Sequence, residues 1–182
     1  MIFFSDRQYG FRTNRGTEEA INKLHERITT CLDNKEKCAV VFPDLSKAFD
    51  LVVHKKLLEK LKKAGCRGKV LEWFSSYLTR RIQKVKIGNT LSNCLEIEIG
   101  TPQGTALSPL IFLIHINDLL SVKIEGEIIA YADDTALLIT AKNWQEVKVK
   151  MEKDMRRIVN WLNKHNLKLN IKKNELYKIY TA

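Results

Sequence analysis

Ile128-Ile129-Ala130-Tyr131-Ala132-Asp133-Asp134-Thr135-Ala136-Leu137-Leu138-Ile139 is the stretch on which the fold turns. Two apolar runs flank two adjacent carboxylates. The flanks are strand-like and the acid pair is turn-like, so the stretch predicts a β-hairpin with Asp133 and Asp134 at its tip. Neighbouring acids between apolar runs are costly unless their charge is compensated, and a divalent cation is the partner that best explains them. An Asp-rich surface turn is the plain alternative, and the pair alone does not decide between the two.

The composition narrows the choice. A chain of 182 residues, 45% hydrophobic, suits one compact domain with room for two subdomains. No apolar run reaches membrane-spanning length, and Met1-Ile2-Phe3-Phe4-Ser5-Asp6-Arg7 lacks the basic-then-apolar order of a signal peptide. Cys31, Cys38, Cys66 and Cys94 are scattered without a C-x-x-C pair, which argues against zinc and for reduced thiols inside the cell. His25, His115 and His165 show no metal-ligand spacing. Lysine and arginine total 31 against 21 acids, a net charge of +10, which favours a polyanionic partner such as nucleic acid. A basic surface around an acidic, metal-ready point is what phosphoryl transfer on nucleic acid needs.

Along the chain, residues 7–16 read as loop. Thr17 reads as an N-cap, followed by Glu18 and Glu19 in a first turn and by Ile21, Leu24, Ile28 and Leu32 at helical spacing. Cys38–Phe42 reads as a strand with Asp44 just beyond it. Helices are expected over 54–64, ending at Gly65, and over 68–79. Val85 and Ile87, the Gly88-Asn89 turn, and Leu95, Ile97 and Ile99 predict a second hairpin. Ser108 and Pro109 are expected to open a buried helix through Leu120, with Ser108 as N-cap. A long helix is expected over 143–164, and short strands over 167–171 and 176–180. This order predicts an α+β domain, helices packed on one antiparallel sheet. In such a sheet neighbouring strands would bring Asp44 to Asp133, and paired carboxylates suit two Mg²⁺ ions about 3.5–4 Å apart.

Three motifs then stand in order. Phe42-Pro43-Asp44-Leu45-Ser46-Lys47-Ala48-Phe49-Asp50 resembles motif A of the reverse transcriptases of non-LTR retrotransposons, of the LINE type and jockey-like. Gly100-Thr101-Pro102-Gln103-Gly104-Thr105-Ala106-Leu107-Ser108-Pro109, with Asn117-Asp118-Leu119, resembles motif B, and Tyr131-Ala132-Asp133-Asp134 resembles motif C. Gln8-Tyr9-Gly10-Phe11-Arg12 is similar to the end of the fingers region, and Leu167-Lys168-Leu169-Asn170-Ile171-Lys172-Lys173 to motif D. The resemblance covers essentially the whole chain. It implies a right-hand polymerase palm over 41–182, with residues 1–40 the end of partial fingers and no thumb.

The resemblance also implies roles. Asp44, Asp133 and Asp134 would be the catalytic metal ligands, for two Mg²⁺ with Mn²⁺ as a substitute. Phe49 would be the steric gate that selects dNTPs, where simple core packing is the other reading of the ring. Gln103 and Gly104 would contact the incoming nucleotide and template, and Lys173, beside the equally basic Lys172 and Lys168, would protonate the departing pyrophosphate. RNA template, DNA primer and dNTPs would be the partners, and the nucleus the compartment. The basic helices around 54–63 and 148–157 would track phosphates or simply face solvent. His54 reads as structural.

Some positions depart from the family pattern. Pro43 stands where an aliphatic residue is usual, and proline inside a central strand removes a ladder hydrogen bond and threatens to displace Asp44. Leu51, Val53, His115 and Asn174 also differ from the usual residues. The chain begins after the fingers strands and ends at or before the primer grip, with no endonuclease region. Weak or absent polymerisation by the isolated polypeptide is therefore expected, and a catalytically inactive nucleic-acid-binding remnant, or a structural relic, is the alternative.

Overall fold

The computed structural model describes residues 4–170 and 175–179. α1 (Thr17–Asp33) is followed by β1 (Lys37–Phe42), β2 (Leu45–Ser46), a 3₁₀ turn (Ala48–Leu51), α2 (His54–Lys63) and α3 (Gly68–Leu78). Then come β3 (Arg81–Gln83), β4 (Lys86–Ile87), β5 (Thr90–Leu91), β6 (Leu95–Ile97), α4 (Leu107–Ile116) and a second 3₁₀ turn (Asn117–Ser121). β7 (Glu127–Tyr131), β8 (Asp134–Ala141), α5 (Trp144–Lys164), β9 (Lys168–Leu169) and β10 (Glu175–Ile179) complete the order. This is an α+β fold.

The central sheet is antiparallel, in the order β10-β1-β8-β7. Its inner strands show why a continuous apolar run was needed rather than an alternating one. Ala39, Val41, Leu137 and Ile139 join the main core, whereas Cys38, Val40, Ala136 and Leu138 face the opposite way with Cys31 of α1. Both faces are covered by helices, so both parities are apolar. On the main side lie Leu57 and Leu61 of α2, Leu78 of α3, Ile111 and Phe112 of α4, and Ile158 and Leu162 of α5, all essentially inaccessible. Each such side chain contributes roughly 1.5–3 kcal/mol of burial free energy. The free edge of β7 is covered by residues 7–9. Tyr9 N–H donates to Ala130 O at 2.8 Å and Ala130 N–H to Arg7 O at 2.9 Å, a short parallel bridge.

Four details differ from the sequence reading. Gly16, not Thr17, caps α1, because Glu19 reaches back to accept the Gly16 N–H at 2.7 Å. Ser108 does not cap α4, which begins at Leu107; its buried hydroxyl instead donates to Pro102 O, tying the preceding loop to the helix. The second hairpin is two stacked ribbons. β4 and β5 meet around Gly88-Asn89, while Leu95–Ile97 pair with Arg81–Gln83 rather than with 85–87. The register slips by one residue between the ribbons, a bulge closed by Ser92, whose N–H donates to Val85 O and whose hydroxyl accepts from Val85 N–H, both at 2.9 Å. The fourth difference is the sheet itself: β2 pairs with β9 in a separate ribbon, so the strands do not form one continuous sheet.

Candidate active site

The turn of the β7–β8 hairpin is Ala132-Asp133, since Tyr131 and Asp134 are opposed across the ladder. Asp134 is thus the first residue of β8, and the acid pair straddles the corner instead of forming the loop alone. Asp133 is half-buried and Asp134 exposed. Ala132 takes a positive φ of 55°, at the first of two loop residues, where this kind of turn favours glycine.

β1 is the neighbour of β8 and runs antiparallel to it, with Val41 opposite Leu137. The chain leaving β1 therefore travels toward the hairpin tip, and Asp44 sits two residues past the strand's end. Pro43 falls just outside the ladder, where its missing N–H interrupts nothing, and it does not unseat Asp44. Asp44 is held from β9's side. Its backbone oxygen accepts the Asn170 N–H at 2.9 Å, and its Oδ2 accepts the Asn170 side-chain amide at 2.8 Å.

The three acids feel one another. The Asp134 carboxyl is pushed above the ordinary carboxylate range, first by desolvation and then by the charges of Asp133 and Asp44. Convergent like charge of this kind is relieved by a cation. Among the described residues no group of three or more His, Cys, Asp or Glu side chains is arranged to hold a metal ion. Beside the acids, a cavity of about 180 Å³ is lined by Thr17, Ala20 and Ile21 of α1 together with Phe42, Tyr131 and Asp134.

The remaining predicted residues form a second group, joined to the first through β2. Thr101 N–H donates to Phe49 O at 2.9 Å and Gly100 N–H to Val52 O at 2.8 Å, which docks the 100–104 loop on the 3₁₀ turn that follows Asp44. Gln103 is exposed and donates to Asp50 Oδ1 at 2.9 Å; Gly104 is exposed with φ of +75°. The Phe49 ring is half-buried and stacks on Phe112, centroids 4.3 Å apart. His54 is buried, and its Nε2 lies 2.7 Å from Gly100 O. Lys173 and Lys172 lie outside the described residues, and Lys168 is exposed on β9.

The residues 2–179 match the family model "Reverse transcriptase (RNA-dependent DNA polymerase)". The chain belongs to the reverse transcriptase family. This reverse transcriptase domain is 33% identical over 178 residues to the probable RNA-directed DNA polymerase from transposon BS of Drosophila melanogaster, covering 92% of this chain and 19% of that protein. It is 30% identical over 173 residues to the RNA-directed DNA polymerase from mobile element jockey of the same species, covering 91% and 19%. The resemblance to non-LTR elements of the jockey type therefore holds, and the domain spans about a fifth of the length of those relatives. In fold it is similar to apo telomerase from Candida tropicalis, with a TM-score of 0.69 and 16% identity over 93% of this chain and 36% of that one. Reverse transcriptases as a family use divalent metal ions. No described helix is long and apolar enough to cross a membrane.

Sequence reasoning missed Asp50 and Asn170 as partners of Gln103 and Asp44. Each is a polar residue inside a recognised motif, and no periodicity marks its target.

Proposed function

We propose that this domain is the palm of an RNA-directed DNA polymerase that adds dNTPs to a primer 3′-hydroxyl. The observation that carries the reading is that the ends of two adjacent strands bring Asp44, Asp133 and Asp134 to one end of the sheet, where the charges of Asp133 and Asp44 act on Asp134. In this role Asp44 and Asp133, with Asp134 beside them, would hold two Mg²⁺, for which Mn²⁺ substitutes. Bound there, the ions would lower the pKa of the primer hydroxyl and stabilise charge on the leaving oxygen. The primer oxygen attacks the α-phosphorus of the dNTP, the bond to the β-phosphate breaks, and pyrophosphate leaves with the electron pair.

Phe49 would bar a ribose 2′-hydroxyl. Its stacking on Phe112 fixes the ring, so gating and packing are two uses of one side chain. Gln103 and Gly104 would meet the nucleotide once Gln103 releases Asp50. Lys173 remains the proposed acid for pyrophosphate. RNA template and DNA primer fit the net charge of +10, and the nucleus fits those partners. Residues 1–40 would be the end of the fingers and 41–182 the palm.

The test is Mn²⁺ binding by the 182-residue chain, followed by primer extension on an RNA template. Binding that is lost in Asp133→Asn and Asp44→Asn supports the reading. Binding that survives both substitutions sinks it. Salt-sensitive RNA binding without Mn²⁺ binding would identify a non-catalytic nucleic-acid-binding remnant instead.

A further inference from the structure

Gln8 is 1% exposed, although it carries an amide and lies in a segment with no helix or strand of its own. Its side chain is committed to the tip of a hairpin 124 positions later in the chain. Oε1 accepts the Ala132 N–H and the Gly10 N–H, each at 2.8 Å, and Nε2 donates to Ala132 O at 3.3 Å. One side chain thus binds both backbone polar groups of the residue directly before Asp133. Gly10 abuts the same turn: a Cβ there would lie 2.3 Å from the Ala132 nitrogen and 3.0 Å from its Cα, so the two backbones touch with no room for a side chain. The tip needs outside support. An alanine at positive φ is strained, and the like charges of Asp133, Asp134 and Asp44 press the corner apart.

We infer that Gln8 is a positioning residue for the catalytic acids: through the Ala132 backbone it fixes where the Asp133 carboxylate stands. The assignment rests on the polymerase reading of the site. Outer groups that orient a metal ligand typically change affinity by about 10–100-fold when removed. A Gln8 that merely stabilised the fold would change stability and leave the metal affinity of the folded protein alone.

The experiment measures Mn²⁺ affinity by electron paramagnetic resonance, and amide hydrogen exchange at Ala132, in the 182-residue chain and in Gln8→Met. Ile158→Val, which trims a buried side chain of α5, serves as the control for lost stability. The expected result is that Gln8→Met weakens Mn²⁺ binding about tenfold and speeds exchange at Ala132, while Ile158→Val does neither. If Gln8→Met does not fold, Gln8→Glu carries the same comparison. It keeps the acceptors for both N–H groups and loses the donor to Ala132 O. Asp133-dependent Mn²⁺ binding that the Gln8 variants leave unchanged overturns the role of Gln8 alone. A wild-type chain without Asp133-dependent binding overturns the polymerase reading and the role of Gln8 with it.

Discussion

The chain contains two hairpins that differ in how their turns are held. The 81–97 ribbon closes on Gly88-Asn89. Gly88 adopts φ of +57° with open space around it, and the strands stand almost wholly in solvent. The β7–β8 hairpin closes on Ala132-Asp133, without glycine, and its strands are buried on both faces. The solvent-exposed hairpin carries the better local turn sequence. The buried one carries the poorer sequence and has its tip clamped by Gln8 and its base by Asp154. Turn chemistry decides that a corner forms. Tertiary contacts decide whether the corner is fixed well enough to aim a carboxylate.

The largest way to break this contrast is at the base. Asp154 of α5 is fully buried and accepts the N–H groups of Glu125, at 2.9 and 3.0 Å, and of Gly126, at 2.8 Å, just before β7 begins. Asp154→Ala removes the acceptor of these part-buried donors and should cost about 2–3 kcal/mol in urea unfolding. A loss below about 1 kcal/mol would mean that the base of the hairpin is not anchored there.

Acid provides the next test, because it acts on the packed side. His115 of α4 is completely buried, and burial, followed by the charge of Lys60 and the neighbouring His165, pushes its pKa down to about 3. The unfolded chain binds that proton near the ordinary value and the folded chain does not. The stability is therefore fully present above about pH 6.5, falls as the pH drops below it, and levels off near the folded value. By roughly pH 5.5 wild type should have lost about 1.4 kcal/mol through this residue, and His115→Phe should lose correspondingly less over the same range. Parallel urea titrations of wild type and His115→Phe that stay a constant distance apart from pH 7 to 5 would refute the assignment.

Where the sequence was legible, period and turn chemistry were enough. The strand through Val40 and Val41, the hairpin around Asp133 and the helix from Trp144 follow from local pattern, and the ordered motifs identified the family. The partners of the site were not legible, because hydrogen bonds between Gln8 and Ala132, or Asn170 and Asp44, join residues more than a hundred positions apart. No local pattern encodes such a pairing. The ribbon was misregistered for a related reason. Val85 and Ile87 look like strand residues, and 86–87 do pair with 90–91, but 84–85 are opposed by a bulge over 92–94, which a period of two does not reveal. Thr17 and Ser108 are good capping types placed beside stronger competitors, the Glu19 carboxylate in one case and the Pro102 carbonyl in the other.

A smaller effect sharpens the comparison at the tip itself. Ala132→Gly relieves the cost of a positive φ and, with Gln8 still holding the turn, should raise stability by about 1 kcal/mol or less. Differential scanning calorimetry reads the gain as a higher Tm. A lower Tm would show that the alanine methyl, which is buried, contributes more by packing than its conformation costs.

The smallest effect is expected on the ribbon. Ile87 is 77% exposed, so its side chain gives up little contact with water on folding, and threonine in its place keeps the branching at Cβ that suits a strand. Ile87→Thr should therefore move the urea midpoint by less than the equivalent of about 0.5 kcal/mol. The strand ladder there depends on Lys86–Leu91 and Ile87–Thr90 backbone pairing, which the substitution leaves intact. If stability instead falls by more than about 1 kcal/mol, Ile87 is covered in solution. The contrast between an anchored acidic hairpin and a free ribbon would then fail on the ribbon's side, not at the tip that carries Asp133.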